Sequence, residues 1–114
     1  MVSVQRFLPF TKQLVLYALY DVLDSEQSAY EKTATGCLRA RVTVYGNTSG
    51  FVLSVTDAPP ATALTVEIPD PCRGLSTQGQ RRSVQYLADK VEQLLENELQ
   101  INKLLKNAQG DGPA

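Results

Sequence analysis

The sequence predicts a small α+β domain. It expects an antiparallel three-stranded β-meander, four-stranded if the N-terminal segment joins it, packed against an N-terminal helix and a long C-terminal helix. Three observations predict this class. Between Leu38 and Ile68, three runs alternate apolar and polar residues with the period of a half-buried strand. Their apolar faces can be aligned in one antiparallel arrangement. Downstream, an apolar stripe from Val84 to Leu105 recurs at heptad spacing, as a helix covering one face of a sheet requires.

Taken in order, Met1–Phe10 reads as a short strand or an extended arm. Val2, Val4, Leu8 and Phe10 alternate, Arg6 breaks the set, and Pro9 would confine a strand to a sheet edge. Thr11 then stands as an N-cap for a helix through about Leu23. The segment from Leu14 to Leu23 is apolar nearly all round, the pattern of a buried helix or of one that also touches a partner. A buried strand is the competing reading, and the segment's length favours a helix. Ser25–Thr35 is polar and weakly patterned. It reads as a further helical turn and a connector, with Thr33-Ala34-Thr35 able to extend the next strand backwards.

The first strand of the meander is Leu38–Val44, with Leu38, Ala40, Val42 and Val44 on one face. The second is Phe51–Thr56, presenting Phe51, Leu53 and Val55; the third is Leu64–Ile68, presenting Leu64, Val66 and Ile68. Facing all three apolar sets inward sets Val44 opposite Leu53 and Val42 opposite Val55, with Asn47–Gly50 as the loop. The second hairpin sets Val55 opposite Leu64, Leu53 opposite Val66 and Phe51 opposite Ile68. Its loop is Asp57–Thr62, where Pro59 and Pro60 stop strand pairing.

Pro69–Gln80 holds two prolines and two glycines and reads as a loop. Ser76 or Thr77 caps the last helix, with Gln80 placed for a capping box. That helix is expected from about Gly79 to Lys106. Val84, Leu87, Val91, Leu94, Ile101 and Leu105 occupy heptad a and d positions, and Ala88, Leu95 and Leu99 widen the face. Glu98 is the polar residue in the stripe. At 1.5 Å per residue the helix is roughly 40 Å long, longer than the expected strands. Its far end therefore overhangs the sheet, and Leu99, Ile101, Leu104 and Leu105 become candidate contacts with a second copy. The single domain is expected over residues 1–108, with 109–114 as a flexible tail.

The 114 residues allow one modest core. A net charge of −1 provides no field toward nucleic acid or an anionic membrane, and neither partner is expected. The run Leu14–Tyr20 is too short to span a bilayer, which takes about 20 residues. No histidine is present, which removes the commonest general base and the commonest metal ligand. Cys37 and Cys72 are expected at opposite ends of the meander, reduced, in a cytoplasmic protein. Without a nearby base, neither reads as a nucleophile; each reads as a small core residue.

Four further candidates remain. Arg73, Ser76, Thr77, Arg81 and Arg82, with Gly74 and Gly79, could hold an anion at the helix start, though a capped and solvated first turn explains the same residues and the glycines do not match a P-loop. The polar strand face, Arg39, Arg41, Thr43, Tyr45, Ser54, Thr56, Thr65 and Glu67, reads as a sheet surface open to water. Glu92 and Glu96 read as solvated acids on the outer face of the helix. The order of helix, antiparallel strands and long C-terminal helix resembles the helix-grip arrangement, which implies an apolar cavity between sheet and helix. The leading expectation is a non-enzymatic interaction module that self-associates through its helices, with no cofactor, metal or catalytic residue. The alternative is a binder of a small apolar ligand in a helix-grip-like cavity.

Overall fold

The structure is a computed structural model that describes the backbone of residues 1–110 and the side chains of residues 1–99. It is α+β, with elements β1 (Ser3–Leu8), α1 (Lys12–Ser25), β2 (Ala29–Ala34), β3 (Cys37–Val44), β4 (Asn47–Ala58), β5 (Ala61–Asp70) and α2 (Thr77–Gly110). The five strands form one sheet in the order β1-β5-β4-β3-β2, antiparallel at every step. The class agrees with the sequence; the strand count of three or four was too low.

β1 resolves the N-terminal alternatives in favour of a strand. It pairs with β5 at the sheet edge, and Pro9 follows its last residue. Arg6 lies on the inward face because its guanidinium is neutralised there. Nη1 sits 2.9 Å from Asp89 Oδ1 and 3.0 Å from Glu92 Oε2 on α2. Glu92 is thus an ion-pair partner that ties α2 to the sheet edge, not a free surface acid.

β2 replaces the expected connector. It is the opposite edge strand, and all its residues except Tyr30 are exposed. Because neither of its faces is deeply buried, no apolar alternation marks it. It reaches β3 through Thr35-Gly36, where Gly36 takes φ +73°.

The β3–β4 register corrects the expected one. Val44 pairs with Asn47, Val42 with Ser49 and Leu38 with Leu53. The turn is Tyr45-Gly46, with φ 52° and 82°, the double left-handed conformation of a type I′ hairpin. The shift from the expected pairing is an even number of residues, so every side chain keeps its face. Apolar alternation is blind to such a shift. The residue that hides it is Ser49, buried at 1% exposure in the core-facing row. Its Oγ accepts the Cys72 N–H at 2.8 Å, which makes a polar residue tolerable there.

The β4–β5 register is as expected as far as Val52, with Val55 facing Leu64 and Leu53 facing Val66, whereas the expected pairing of Phe51 with Ile68 falls at a register shift and is not formed. The loop is shorter than expected. Both strands continue to Ala58 and Ala61, leaving only Pro59-Pro60, joined by a cis peptide bond. An irregularity between Gly50 and Val52 offsets the ladder by one residue on the β5 side. Pro69, which has no N–H to donate, sits at this bulge.

Both helices pack on the inner face. α1 has Thr11 as its N-cap, its hydroxyl accepting from Leu14 N at 3.3 Å. It buries Val15, Ala18, Leu19, Val22 and Leu23 against β4, β5 and α2. α2 buries Val84, Leu87, Ala88, Val91 and Leu95 and lies over β1 and β5. Phe51, Leu53, Leu64 and Leu87 are essentially inaccessible, and each such burial is worth roughly 1.5–3 kcal/mol before chain entropy is counted.

Candidate functional site

Beyond Leu95 the described part of α2, Glu96–Leu99, is exposed. Ser76 caps the helix, its Oγ accepting Gly79 N–H at 3.0 Å. The expected capping box does not form, because Gln80 Nε2 donates to Leu75 O at 3.1 Å. From Thr77 the helix runs 34 residues, about 51 Å. Among the described side chains its last buried position is Leu95, 2% exposed; Leu99, one turn on, is 43% exposed, and Glu98 is exposed as well. The strands, at 6 to 12 residues, span at most about 40 Å. Of the four sequence-predicted contact residues, Leu99 lies on this projecting stretch with its side chain in solvent. The side chains of Ile101, Leu104 and Leu105 lie outside the described residues, although the helix backbone continues through them. α1 adds exposed Leu14 and Tyr17.

The other end of α2 carries the anion candidates. Arg73, Thr77, Arg81 and Arg82 are exposed, and Ser76 is occupied by the cap. Among the described residues none of these arginines makes an ion pair.

Most of the polar strand face is where alternation placed it. Arg39, Arg41, Thr43, Ser54, Thr56, Thr65 and Glu67 stand opposite the buried rows, and the Thr43 and Thr48 hydroxyls bond at 2.7 Å. Tyr45 leaves the set. Its turn conformation sends the ring against Tyr86 of α2, edge-on at 5.4 Å between centroids. Tyr86 in turn donates to Glu26 Oε1 at 2.7 Å, and Tyr30 to Asp24 Oδ1 at 2.8 Å. These bonds join the C-terminal end of α1 to α2 and to β2. Sequence reasoning missed them, because the partners lie far apart in the chain or on the unrecognised strand.

Cys37 and Cys72 are free and half-buried, not the core residues expected. Cys37 pairs with Ser54 and Cys72 bonds to Ser49, five residues away along β4, which separates them by about 17 Å. No group of metal-ligating side chains is present among the described residues, and no helix among them is long and apolar enough to cross a membrane. Among the described residues, one open depression lies on the outer sheet face and another beside Pro9, Leu14 and Pro60; neither of these lies between the sheet and α2.

No protein-family model matches the sequence, and no curated protein matches it. Among solved structures, the chain is similar to DynU16, a protein of the dynemicin biosynthetic locus, with a TM-score of 0.51 and 17% identity. The match covers 83% of this chain and 46% of DynU16, so the chain spans about half the length of that neighbour. At this identity the likeness shows a shared fold.

Proposed function

We propose that this chain is a non-enzymatic interaction module that self-associates through the far end of α2, with α1 beside it. One observation supports the reading: among the described side chains of α2, Leu95 is the last that is buried, and the next apolar residue, Leu99, is exposed. The sequence continues this stretch with Ile101, Leu104 and Leu105. A row of this length is unusual on a lone chain in water. A two-fold contact is the commonest closed way to bury it. The half-buried free thiols of Cys37 and Cys72 support a reducing compartment such as the cytoplasm.

Light scattering of the wild type and of Ile101→Asp with Leu105→Asp tests this. The wild type is expected at twice the chain mass in the micromolar range, and the double variant at the chain mass with unchanged circular dichroism. A monomeric wild type overturns the proposal. So does a double variant that unfolds, because those side chains would then belong to their own core.

A further inference from the structure

The outer face of the sheet carries an open groove of about 450 Å³, lined solely by β2, β3, β4 and β5. Its depth comes from the β4–β5 bulge and from Gly50. A Cβ at Gly50 would stand 3.0 Å from Asp70 Cβ and 3.3 Å from its Oδ2, so only glycine leaves this part of the floor open while Asp70 lies across it. Ala29, Val52 and Pro69 supply an apolar lining.

The walls are charged. Arg39 and Arg41 stand two residues apart on the same face of β3, their Cα atoms about 7 Å from one another. Arg41 Nη1 is 3.0 Å from Asp70 Oδ2, with both side chains more than half exposed (60% and 69%). Arg39 makes no ion pair among the described residues, and its cross-strand neighbour is Glu31. Asp70 therefore seats a carboxylate on Arg41 at the rim of the groove. A bridge so exposed contributes little stability and is easily exchanged for another carboxylate.

We propose that this groove is a binding site for a small aryl carboxylate. The ligand's carboxylate accepts from Arg39 and Arg41, displacing Asp70. The ring lies on Val52, Ala29 and Pro69, with a guanidinium plane able to stack on it. The volume falls within the roughly 300–1,000 Å³ of small-molecule sites. Asp70 is an internal competitor for Arg41, and Glu31 opposes a second anion beside Arg39, so the site takes one negative charge. The site does not depend on α2 or on self-association.

Titration of the ¹⁵N-labelled chain with 2-naphthoate, followed by backbone amide shifts, tests the proposal; the neutral analogue 2-naphthalenemethanol is run in parallel. Saturable millimolar shifts are expected at Arg41, Gly50 and Val52. Arg39→Gln is expected to bind about tenfold more weakly, as loss of one charge-assisted contact implies. Asp70→Asn is expected to bind more tightly, because the competitor is gone. The spectrum of each variant reports its fold. Absence of saturation at these amides overturns the site, as do shifts centred on core residues such as Leu87. Equal binding of the neutral analogue, or weaker binding by Asp70→Asn, overturns the carboxylate assignment.

Discussion

Tyr86 and Tyr30 each hand a phenolic proton to a carboxylate, Glu26 and Asp24 respectively. Both phenols are raised above their ordinary value of 10.0, first by that hydrogen bond, then by desolvation and the carboxylate's charge. A folded-state pKa above the unfolded one means that the fold favours the protonated phenol. This stabilisation is complete below pH 10 and is lost as pH rises through the raised folded value. Urea midpoints of the wild type are therefore expected to fall above pH 10, with no change of this origin between pH 7 and 9. A Tyr30→Phe, Tyr86→Phe variant should be less stable at pH 8 but lose less on going to alkaline pH. Parallel curves for the two proteins would show that these phenols carry no such linkage. Arg6 is held by ion pairing. A charge on an inward-facing strand position persists because Asp89 and Glu92 meet it.

Among the elements, the two hairpins flanking β3 turn on glycine for different reasons. Gly36 has φ +73°, and a Cβ there would meet Val55 O at 2.6 Å. That carbonyl belongs to the central strand β4, and the Gly36 carbonyl itself accepts Val55 N–H at 2.7 Å. Gly46 has φ +82° with open space around the missing Cβ. Gly46→Ala therefore meets only the left-handed backbone penalty, about 1–2 kcal/mol. Gly36→Ala meets that penalty and a backbone collision, and is expected to lose roughly 3 kcal/mol or more, in the range of strongly disruptive substitutions. Chemical denaturation of both variants checks the difference. Equal losses would mean that β2–β3 and β4 part without cost.

For the whole molecule, the strand order ranks local stability. β5 and β4 are each paired on both sides and covered by the helices, whereas β2 has one partner and an exposed surface. Native-state hydrogen exchange should show the β5 and inner β4 amides opening only with global unfolding. The β2 amides should open at a free energy several kcal/mol lower, as edge segments with little buried surface do. Equal protection of β2 and β5 would sink this ranking.

Periodicity determined the α+β class, the apolar rows of β3, β4 and β5, the β4–β5 register as far as Val52 and the apolar stripe of the long α2, while the length of the Leu14–Leu23 run and Thr11 only favoured a capped α1 over a strand. Each follows from burial, and burial leaves a pattern in the sequence. Tertiary structure alone decided the rest. β2 is invisible because a strand solvated on nearly every position has no alternation to read. The β3–β4 register escaped because an even slip preserves every face, and the deciding residues, Tyr45 and Gly46, act through backbone dihedrals. Ser49 looks like a loop residue until Cys72 N–H reaches it from the β5–α2 connection. The Arg39–Arg41 groove was legible only as a polar face. Its depth depends on Gly50, the bulge and Asp70 meeting across two strands, a coincidence in space to which sequence spacing is indifferent.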